Sequence, residues 1–396
     1  MKVYFVMKNG YPNGLASVAR VKSYSLGFKN NGIESEVILP VSSEKYGIHP
    51  KNTQACGIDE NGVHFHYSSG SATRKSNVFK RLVSDIYGYT KTLIYILKKS
   101  KKDDVIVAYE GGVLWMGLLA LCCHIKQTPI AMELNELPFG MSNETWKCRY
   151  KRLLMLNLVF PLYDYFFAIS TSLANLAKEY SPKSKIIKVP IIVENKMEGE
   201  DWQDAPKYLF HSGTLSEQKD GILGMLQGFG IACQEMPDED LYYFMTGTLE
   251  TSPVAKEMLS IIERYKIKER VVFLGFLNAT ELRKYQKNCI LTIINKHKTQ
   301  QNTYCFSTKL GEYLYFARPV LTTAVGESTN YLIDNNNAYV IPPENNVREI
   351  ANKIVYAVKH PKENRTIGQK GHELTETVFN CDYQTKRIYN FISNAR

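Results

Sequence analysis

Thr303–Thr323, TYCFSTKLGEYLYFARPVLTT, reads as a loop, a helix and a buried strand in close succession. Ser307 precedes an apolar-periodic run, the usual place of a helix N-cap. Leu310, Tyr313, Leu314 and Ala317 follow at the spacing of one inward face, and a strand is expected over Pro319–Thr323. Thr308 and Glu312 are four residues apart and share a different face, with Lys309 three from Glu312. A hydroxyl, a cation and a carboxylate therefore crowd behind a helix N-terminus, whose unpaired N–H groups favour anions. This suits a ligand bearing a sugar diol and phosphates. A capped surface helix with an ion pair accounts for the same residues.

The alternation continues on both sides of this stretch. Upstream, Lys207–His211 is a strand, Ser212–Gly221 (SGTLSEQKDG) a loop, and an apolar helix runs on to Cys233. Gly213 permits a tight turn there, and Thr214, Ser216 and Lys219 can face an anion; a βα turn with a surface lysine is the plainer alternative. Leu241–Gly247 and Val271–Leu277 are two more strands, each running into glycine. Asn278 and Glu281 form a plausible capping pair for the next helix, and Cys289–Asn295 is a further strand. Asp238, Glu239 and Asp240 resemble a metal-binding triplet. They precede their strand, the wrong end for a site, and read as a solvated turn. Downstream come Gly326, Glu327 and Ser328, a strand over Ala338–Pro342, a helix over Val347–Lys359 and a final helix over Asp382–Phe391.

The first half repeats the pattern. Lys2–Met7 is a strand, Lys8–Gly14 a loop, Ala16–Asn31 a helix ended by Gly32, and Ser35–Leu39 a strand. This is the repeating unit of a doubly wound α/β sheet. The loop lacks G-x-G-x-x-G. Gly14 would still let backbone approach a phosphate or sugar, although an ordinary βα turn explains it as well. Residues 42–77 look like an inserted loop or small hairpin. Val78–Lys98 is an amphipathic helix, Gly112–Ile125 a buried helix, and Asp104–Tyr109 and Pro129–Leu134 are strands. Glu133, Asn135 and Glu136 close the last of these, and ligands of open α/β sheets gather beyond the carboxyl ends of strands. The polar run Asn195–Pro206 reads as a linker, giving domains at 1–198 and 205–379, with residues 380–396 expected to pack back on the first.

Charge separates the halves. Residues 1–200 hold 26 Lys+Arg and 17 Asp+Glu, a net of +9, whereas the remainder nets only +1. The first half should therefore meet something acidic. In Glu144–Phe160, Lys147, Arg149, Lys151 and Arg152 interleave with Trp146, Tyr150, Leu153 and Leu154. Such a helix, together with Arg74, Lys75, Lys80 and Arg81, can lie on an anionic membrane; a solvated helix face is the alternative. No RNA- or DNA-reading motif accompanies the basic residues, so nucleic acid is not an expected partner. The longest apolar run, Val113–Cys123, has 11 residues, too few to span a bilayer. Met1 leads directly into a strand, so no secretory leader is expected. The eight cysteines are scattered without metal-like spacing and read as reduced core residues of a cytoplasmic protein.

Taken together, the motifs resemble a family 4 glycosyltransferase of the GT-B fold. SGTLSEQKDG resembles that family's Gly–x–Leu–three residues–Lys loop, FLGFL its base-side turn, STKLGEYLYFARPVLTT its main donor motif, and VGES the Gly-rich loop after it. The resemblance is clearest over Lys207–Phe391. It implies two Rossmann-like domains facing across a cleft, and transfer of a sugar from a UDP- or GDP-linked donor to a glycan or polyprenyl-diphosphate-linked acceptor. The acceptor would lie at the inner face of the cell membrane, in surface polysaccharide synthesis. The reaction would be retaining and would need no metal or other cofactor. By the same resemblance, Lys219 holds the diphosphate and Glu312 bonds the ribose hydroxyls. The backbone around Leu277 meets the base, Tyr304, Cys305, Phe306, Ser307, Thr308 and Lys309 contact sugar and phosphates, and Gly14 closes on the donor from the other domain. Glu133, Asn135 and Glu136 fall on the acceptor side. Many members carry Arg where this chain has Thr214, which leaves Lys309 to compensate, and many carry Glu where it has Tyr304. A GT-B nucleotide-sugar epimerase and a non-catalytic glycan- or nucleotide-binding module are the competing readings.

Overall fold

The computed structural model describes residues 1–47, 49–140, 145–194 and 197–395. It divides into two compact units, Met1–Glu194 with Cys381–Arg396, and Asn195–Asn380.

The first unit is built on β1 (Lys2–Met7), β2 (Glu34–Leu39), β3 (Cys56–Ile58), β4 (His64–Tyr67), β5 (Val105–Tyr109), β6 (Ile130–Leu134), β7 (Tyr165–Ala168) and β8 (Lys185–Lys188). They form one sheet in the order β3-β4-β2-β1-β5-β6-β7-β8. All neighbours are parallel except β3 and β4, which pair antiparallel. The segment expected to be an inserted loop or hairpin is thus a hairpin that widens the sheet. The central strands read as continuous apolar runs because helices cover both faces. These helices are α1 (Ala16–Asn30), α2 (Val78–Lys99), α3 (Val113–Lys126), α4 (Trp146–Leu154) and α5 (Thr171–Tyr180).

Two expectations for this unit need correction, and a third holds with a twist. Helix α3 is not buried all round: Leu114, Leu118, Leu121 and Ile125 are exposed. The basic helix is shorter than its pattern. Its first residue, Glu144, lies outside the described residues, α4 ends at Leu154, and a π-helical turn over Met155–Val159 and a 3₁₀ turn over Phe160–Leu162 follow, where Pro161 cannot continue the ladder. Amphipathic α2 is present, but it turns its apolar side outward.

The second unit holds β9 (Lys207–His211), β10 (Leu241–Met245), β11 (Val271–Phe273), β12 (Leu291–Ile294), β13 (Val320–Thr323) and β14 (Tyr339–Ile341). They form an all-parallel sheet in the order β11-β10-β9-β12-β13-β14. Its helices are α6 (Glu217–Asp220), α7 (Ile222–Glu235), α8 (Ala255–Tyr265), α9 (Ala279–Asn288), α10 (Gln300–Tyr304), α11 (Thr308–Tyr315), α12 (Val347–Lys359) and α13 (Pro361–Glu376). Here the helices bury their apolar sides in the ordinary way. Met225, Leu226, Phe229, Ile350 and Ile354 join one core with Leu209, Tyr243 and Leu291. The strand expected over Val271–Leu277 stops at Phe273, because Gly275, at φ 68°, turns the chain and leaves Phe276 exposed. Residues 303 and 304, read as loop, end the short helix α10.

The last helix, α14 (Cys381–Ser393), belongs to the first unit. It approaches α1 so closely that a Cβ on Gly27 would sit 2.5 Å from the Cys381 carbonyl oxygen. Asn31 Nδ2 donates to the Asp382 carbonyl at 2.9 Å and to Thr385 Oγ1 at 3.0 Å, fixing the register.

Candidate functional site

In both sheets the strand order reverses direction once, between β1 and β5 and between β9 and β12. Loops leaving adjacent strands diverge at such a point and open a crevice at the carboxyl ends. In the second unit, all four motif segments come from those ends.

The loop after β9 and the helix α11, about ninety residues apart in sequence, are sewn together by side chains. Ser212 N donates to the Tyr313 hydroxyl at 2.7 Å, and the Ser212 hydroxyl lies 2.9 Å from it. Lys309 Nζ pairs with Asp220 Oδ1 at 2.6 Å. Gly213 lies directly above this pair. A Cβ there would come within 2.7 Å of Lys309 Nζ, 2.7 Å of His211 Nε2 and 2.8 Å of Asp220 Oδ2. Only glycine lets the backbone pass so close to the charges. The turn at Gly275 joins the same place: Gly247 N donates to the Gly275 carbonyl at 2.8 Å, and a Cβ on Gly247 would meet the Gly213 carbonyl at 3.0 Å. The VGES loop closes the other side. Gly326, at φ 64°, passes under the Asn302 and Cys305 carbonyls, which a Cβ would meet at 2.5 and 3.0 Å.

Lys309 therefore does not pair with Glu312, as an i,i+3 reading of the helix would have it. Asp220, one residue after Lys219, takes its ammonium instead. Burial pushes the Asp220 carboxyl up, but the Lys309 ammonium and the neighbouring His211 ring outweigh it, and the net shift is downward. His211 is fully buried at the end of β9. Its Nδ1 donates to the Ile293 carbonyl at 3.1 Å, and Nε2, 3.8 Å from Asp220, has no hydrogen-bond partner among the described residues. Burial, reinforced by Lys309, lowers the imidazole pKa to about 4, so the ring is neutral at pH 7.

Glu312 is half-buried and accepts a hydrogen bond from Gln286 Nε2 at 2.9 Å. Desolvation pushes its carboxyl up, partly offset by Gln286 and by the Arg283 and Lys309 charges. Lys219 and Thr214 are exposed. Ser216 caps the turn that carries Lys219, accepting from its backbone N–H at 3.4 Å. Ser307 occupies the N-cap position of α11 without a side-chain capping bond, leaving the amides of Thr308 and Lys309 to face outward needs. Phe306 is buried and stacks on Tyr331 at 5.5 Å, so its contribution to any ligand is through its backbone. Tyr304 and Cys305 flank it, and Leu277 is half-buried beside the Gly275 turn. His211, Asp220 and Gln286 carry no motif signal of their own. The carboxyl-end position of His211 and the adjacency of Asp220 to Lys219 are the clues that sequence offered.

In the first unit, a cavity of about 320 Å³ opens at the ends of β5 and β6, lined by Glu110, Met132, Asn135, Glu136 and Phe139 among others. Asn135 donates from Nδ2 to the Tyr109 hydroxyl, and its Oδ1 is buried without a partner among the described residues. Glu110, at φ 44°, has a carboxyl pushed up by desolvation and by the Glu136 charge. Glu133 differs from its two neighbours. It lies within β6, and its carboxylate takes Arg20 Nε at 2.7 Å and the Tyr24 hydroxyl at 2.9 Å. Both of its carboxylate oxygens are engaged in the core, although the residue also lines the cavity. Gly14 is exposed ahead of α1, in a turn where a Cβ would strike Val18 at 2.3 Å. Among the described residues no group of three or more His, Cys, Asp or Glu could hold a metal ion.

This chain is similar to known proteins in both sequence and fold. Residues 193–374, which contain the four motif segments, match the family model described as glycosyl transferases group 1. Over 312 residues the chain is 22% identical to YqgM of Bacillus subtilis (strain 168), described as an uncharacterized glycosyltransferase, covering 72% of this chain and 81% of that one. Sucrose-phosphate synthase from Thermosynechococcus elongatus superposes over the full length of both chains with a TM-score of 0.75 at 15% identity. HepE of Anabaena, in complex with UDP and glucose, does so with a TM-score of 0.71 at 14% identity. At such identities the superpositions establish the fold, which is that of GT-B glycosyltransferases.

Proposed function

We propose that the chain is a retaining glycosyltransferase of the family 4 type, moving a sugar from a UDP-sugar to a glycan or polyprenyl-diphosphate-linked glycan at an anionic membrane. The observation that carries this is the passage of the loop after β9 over the Lys309–Asp220 pair at Gly213, in a sheet whose four motif segments all follow the carboxyl ends of its strands. UDP is preferred to GDP because HepE, which shares the fold, was solved with UDP and glucose.

As the anomeric C–O bond to the diphosphate breaks, the sugar becomes oxocarbenium-like and negative charge grows on the departing phosphate. Lys219, exposed on the short helix after β9, meets that charge as a point cation. The Thr214 hydroxyl, the backbone around Gly213 and the free amides at the start of α11 add fixed donors. Lys309 is held back against Asp220, which keeps its ammonium beside the glycine passage without a ligand present. Glu312, oriented by Gln286, offers its carboxylate to the ribose diol. The acceptor hydroxyl forms the new bond to the anomeric carbon, and its proton passes to an oxygen of the leaving phosphate. Asn135, Glu136 and Glu110 around the first-unit cavity are the groups proposed to receive the acceptor.

A thermal-shift panel of UDP, GDP, ADP and CMP tests the reading. A nucleotide at a hundred times its dissociation constant stabilises the native state by about 2.7 kcal/mol. UDP is expected to raise Tm most, and UDP-sugar to be consumed only when an acceptor is added. A panel in which no nucleotide shifts Tm defeats the proposal. A UDP-sugar converted to a different UDP-sugar without acceptor replaces transfer with epimerisation.

A further inference from the structure

Helix α2 is built the wrong way round for a helix that only covers a sheet. Its buried face is Gly88, Thr92 and Ile96, a face of small and polar groups. Gly88 lies so close to Pro40 that a Cβ would sit 1.9 Å from its carbonyl oxygen, and the Thr92 hydroxyl donates to Ser68 Oγ at 2.8 Å. The opposite face carries Phe79, Leu82, Val83, Ile86, Ile94 and Leu97, all exposed, with Phe79 at 72%. These residues fall at helical spacing, interrupted only where Thr90 stands between Ile86 and Ile94, so they form one stripe along a helix of 22 residues, about 33 Å long.

The stripe does not stand alone. Helices α2, α3 and α4 cross between strands that succeed one another in the same direction across the sheet, so right-handed connections place them on one face. Tyr89 of α2 packs on Trp115 of α3 at 4.4 Å. Leu114 and Ile125 of α3, then Leu158 and the Trp146, Tyr150 and Leu153 side chains of α4, extend the exposed apolar ground. Monomeric proteins seldom leave apolar surface contiguous on this scale without a partner. The charge on the same helices identifies the partner. They hold ten Lys and Arg, among them Lys80, Lys91, Lys98, Lys126, Lys147 and Lys151, against the single acid Asp85. A second copy of the chain would oppose like charge to like charge. An anionic bilayer satisfies both features: lipid chains take the stripe, headgroups take the lysines flanking it, and Trp146 and Tyr150 suit the interface. No helix among the described residues is long and apolar enough to cross a membrane, so the geometry is that of a helix lying in the surface.

We infer that α2, with the outer edges of α3 and α4, seats this protein on anionic lipid. This deepens the membrane contact in the proposed function by naming its surface. Vesicle binding is measured without donor, so its failure leaves nucleotide binding and transfer to stand on their own test. The full chain is sedimented with vesicles of phosphatidylglycerol and phosphatidylcholine mixed, and of phosphatidylcholine alone. Wild type is expected to pellet with the mixed vesicles and at least tenfold less with phosphatidylcholine. The triple variant Phe79→Ser, Val83→Ser, Ile86→Ser, altered only at exposed positions, is expected to lose at least tenfold in partitioning with Tm unchanged. Lys80→Glu with Lys91→Glu should weaken binding through charge alone. Wild type that ignores anionic vesicles overturns the inference. So does a triple variant that binds as well as wild type, or an oligomer that the triple variant dissolves while vesicle binding persists.

Discussion

In each unit a cation pairs with a buried carboxylate near the carboxyl ends of the strands, and the two pairs are built differently. In the first unit, Arg20 and Glu133 are sealed, with side chains 2% and 0% exposed. Every face of the guanidinium is used: Nε on Glu133, Nη1 on the Pro190 carbonyl at 2.6 Å, and Nη2 on the Val189 carbonyl at 2.8 Å and Tyr24 at 2.9 Å. In the second unit, Lys309 stays 26% exposed, spends one donor on Asp220 and sits beside an imidazole nitrogen with no partner. A sealed pair with four of its five guanidinium N–H groups and both carboxylate oxygens engaged does not readily offer itself to a ligand. A pair left half-open beneath a glycine passage does. The difference is between a carboxylate closed into the core and one whose partner ammonium still reaches solvent.

The largest expected effect breaks the sealed pair. Glu133→Ala leaves a buried guanidinium without its counter-charge, and removing one partner of such a pair costs about 3–5 kcal/mol. Urea unfolding of the full chain should show the first transition shifted accordingly, with nucleotide-induced stabilisation retained. If stability instead held and only acceptor use failed, Glu133 would belong to the site after all. The second effect is of similar size but falls on rate. Lys219 is exposed, so Lys219→Ala should leave Tm nearly unchanged. Loss of one charge-stabilising donor should lower kcat by roughly 10²–10³, or about 2.7–4 kcal/mol of barrier. Turnover at the wild-type rate would remove the lysine from the mechanism.

The third concerns the imidazole beside the open pair. The unfolded His211 takes a proton near pH 6.5, whereas the folded one does so only near pH 4. Between these values the unfolded state binds more protons, so stability present above pH 6.5 is lost as pH falls towards 4, by about 3 kcal/mol. Below pH 4 the contribution levels off. His211→Asn should flatten this part of the profile, and an unchanged slope would show that other groups cause it.

Much of this was legible in the residues. The alternation of apolar runs with glycine-containing loops predicted parallel sheets, because strands covered on both faces read as continuous hydrophobic stretches. Asn278 and Glu281 were visible as a capping pair and form one. What sequence could not show is set by topology. The Lys309–Asp220 pair spans 89 positions, and no local spacing announces it. The period of α2 reveals two faces without saying which one meets the sheet; that depended on Gly88 fitting under Pro40. Helix α13 escaped notice because it buries Asn364, Gly368, Gly371 and Thr375 around a single Ile367, a face with almost no hydrophobic signal. Glu133 was legible as a carboxylate at the end of its strand, but its pairing was not, because Arg20 is 113 positions away.

The smallest expected effect sharpens the comparison inside the second unit. Asn278 caps α9 with a reciprocal box: its Oδ1 accepts from Glu281 N at 2.9 Å, and Glu281 Oε2 accepts from Asn278 N at 3.0 Å. Asn278→Ala should cost about 1 kcal/mol of stability. Helix α9 also carries Gln286 near its far end, and Gln286 orients Glu312. The cap secures only the first turn, while Gln286 is anchored two turns later by the packing of the helix. The variant should therefore lower Tm by a few degrees at most and leave UDP affinity within about twofold of wild type. Gln286→Ala should do the reverse, weakening UDP binding more than it weakens the fold. A cap variant that lost nucleotide affinity as fully as Gln286→Ala would mean that α9 frays from its start to the site, and that Glu312 is held by the helix as a whole.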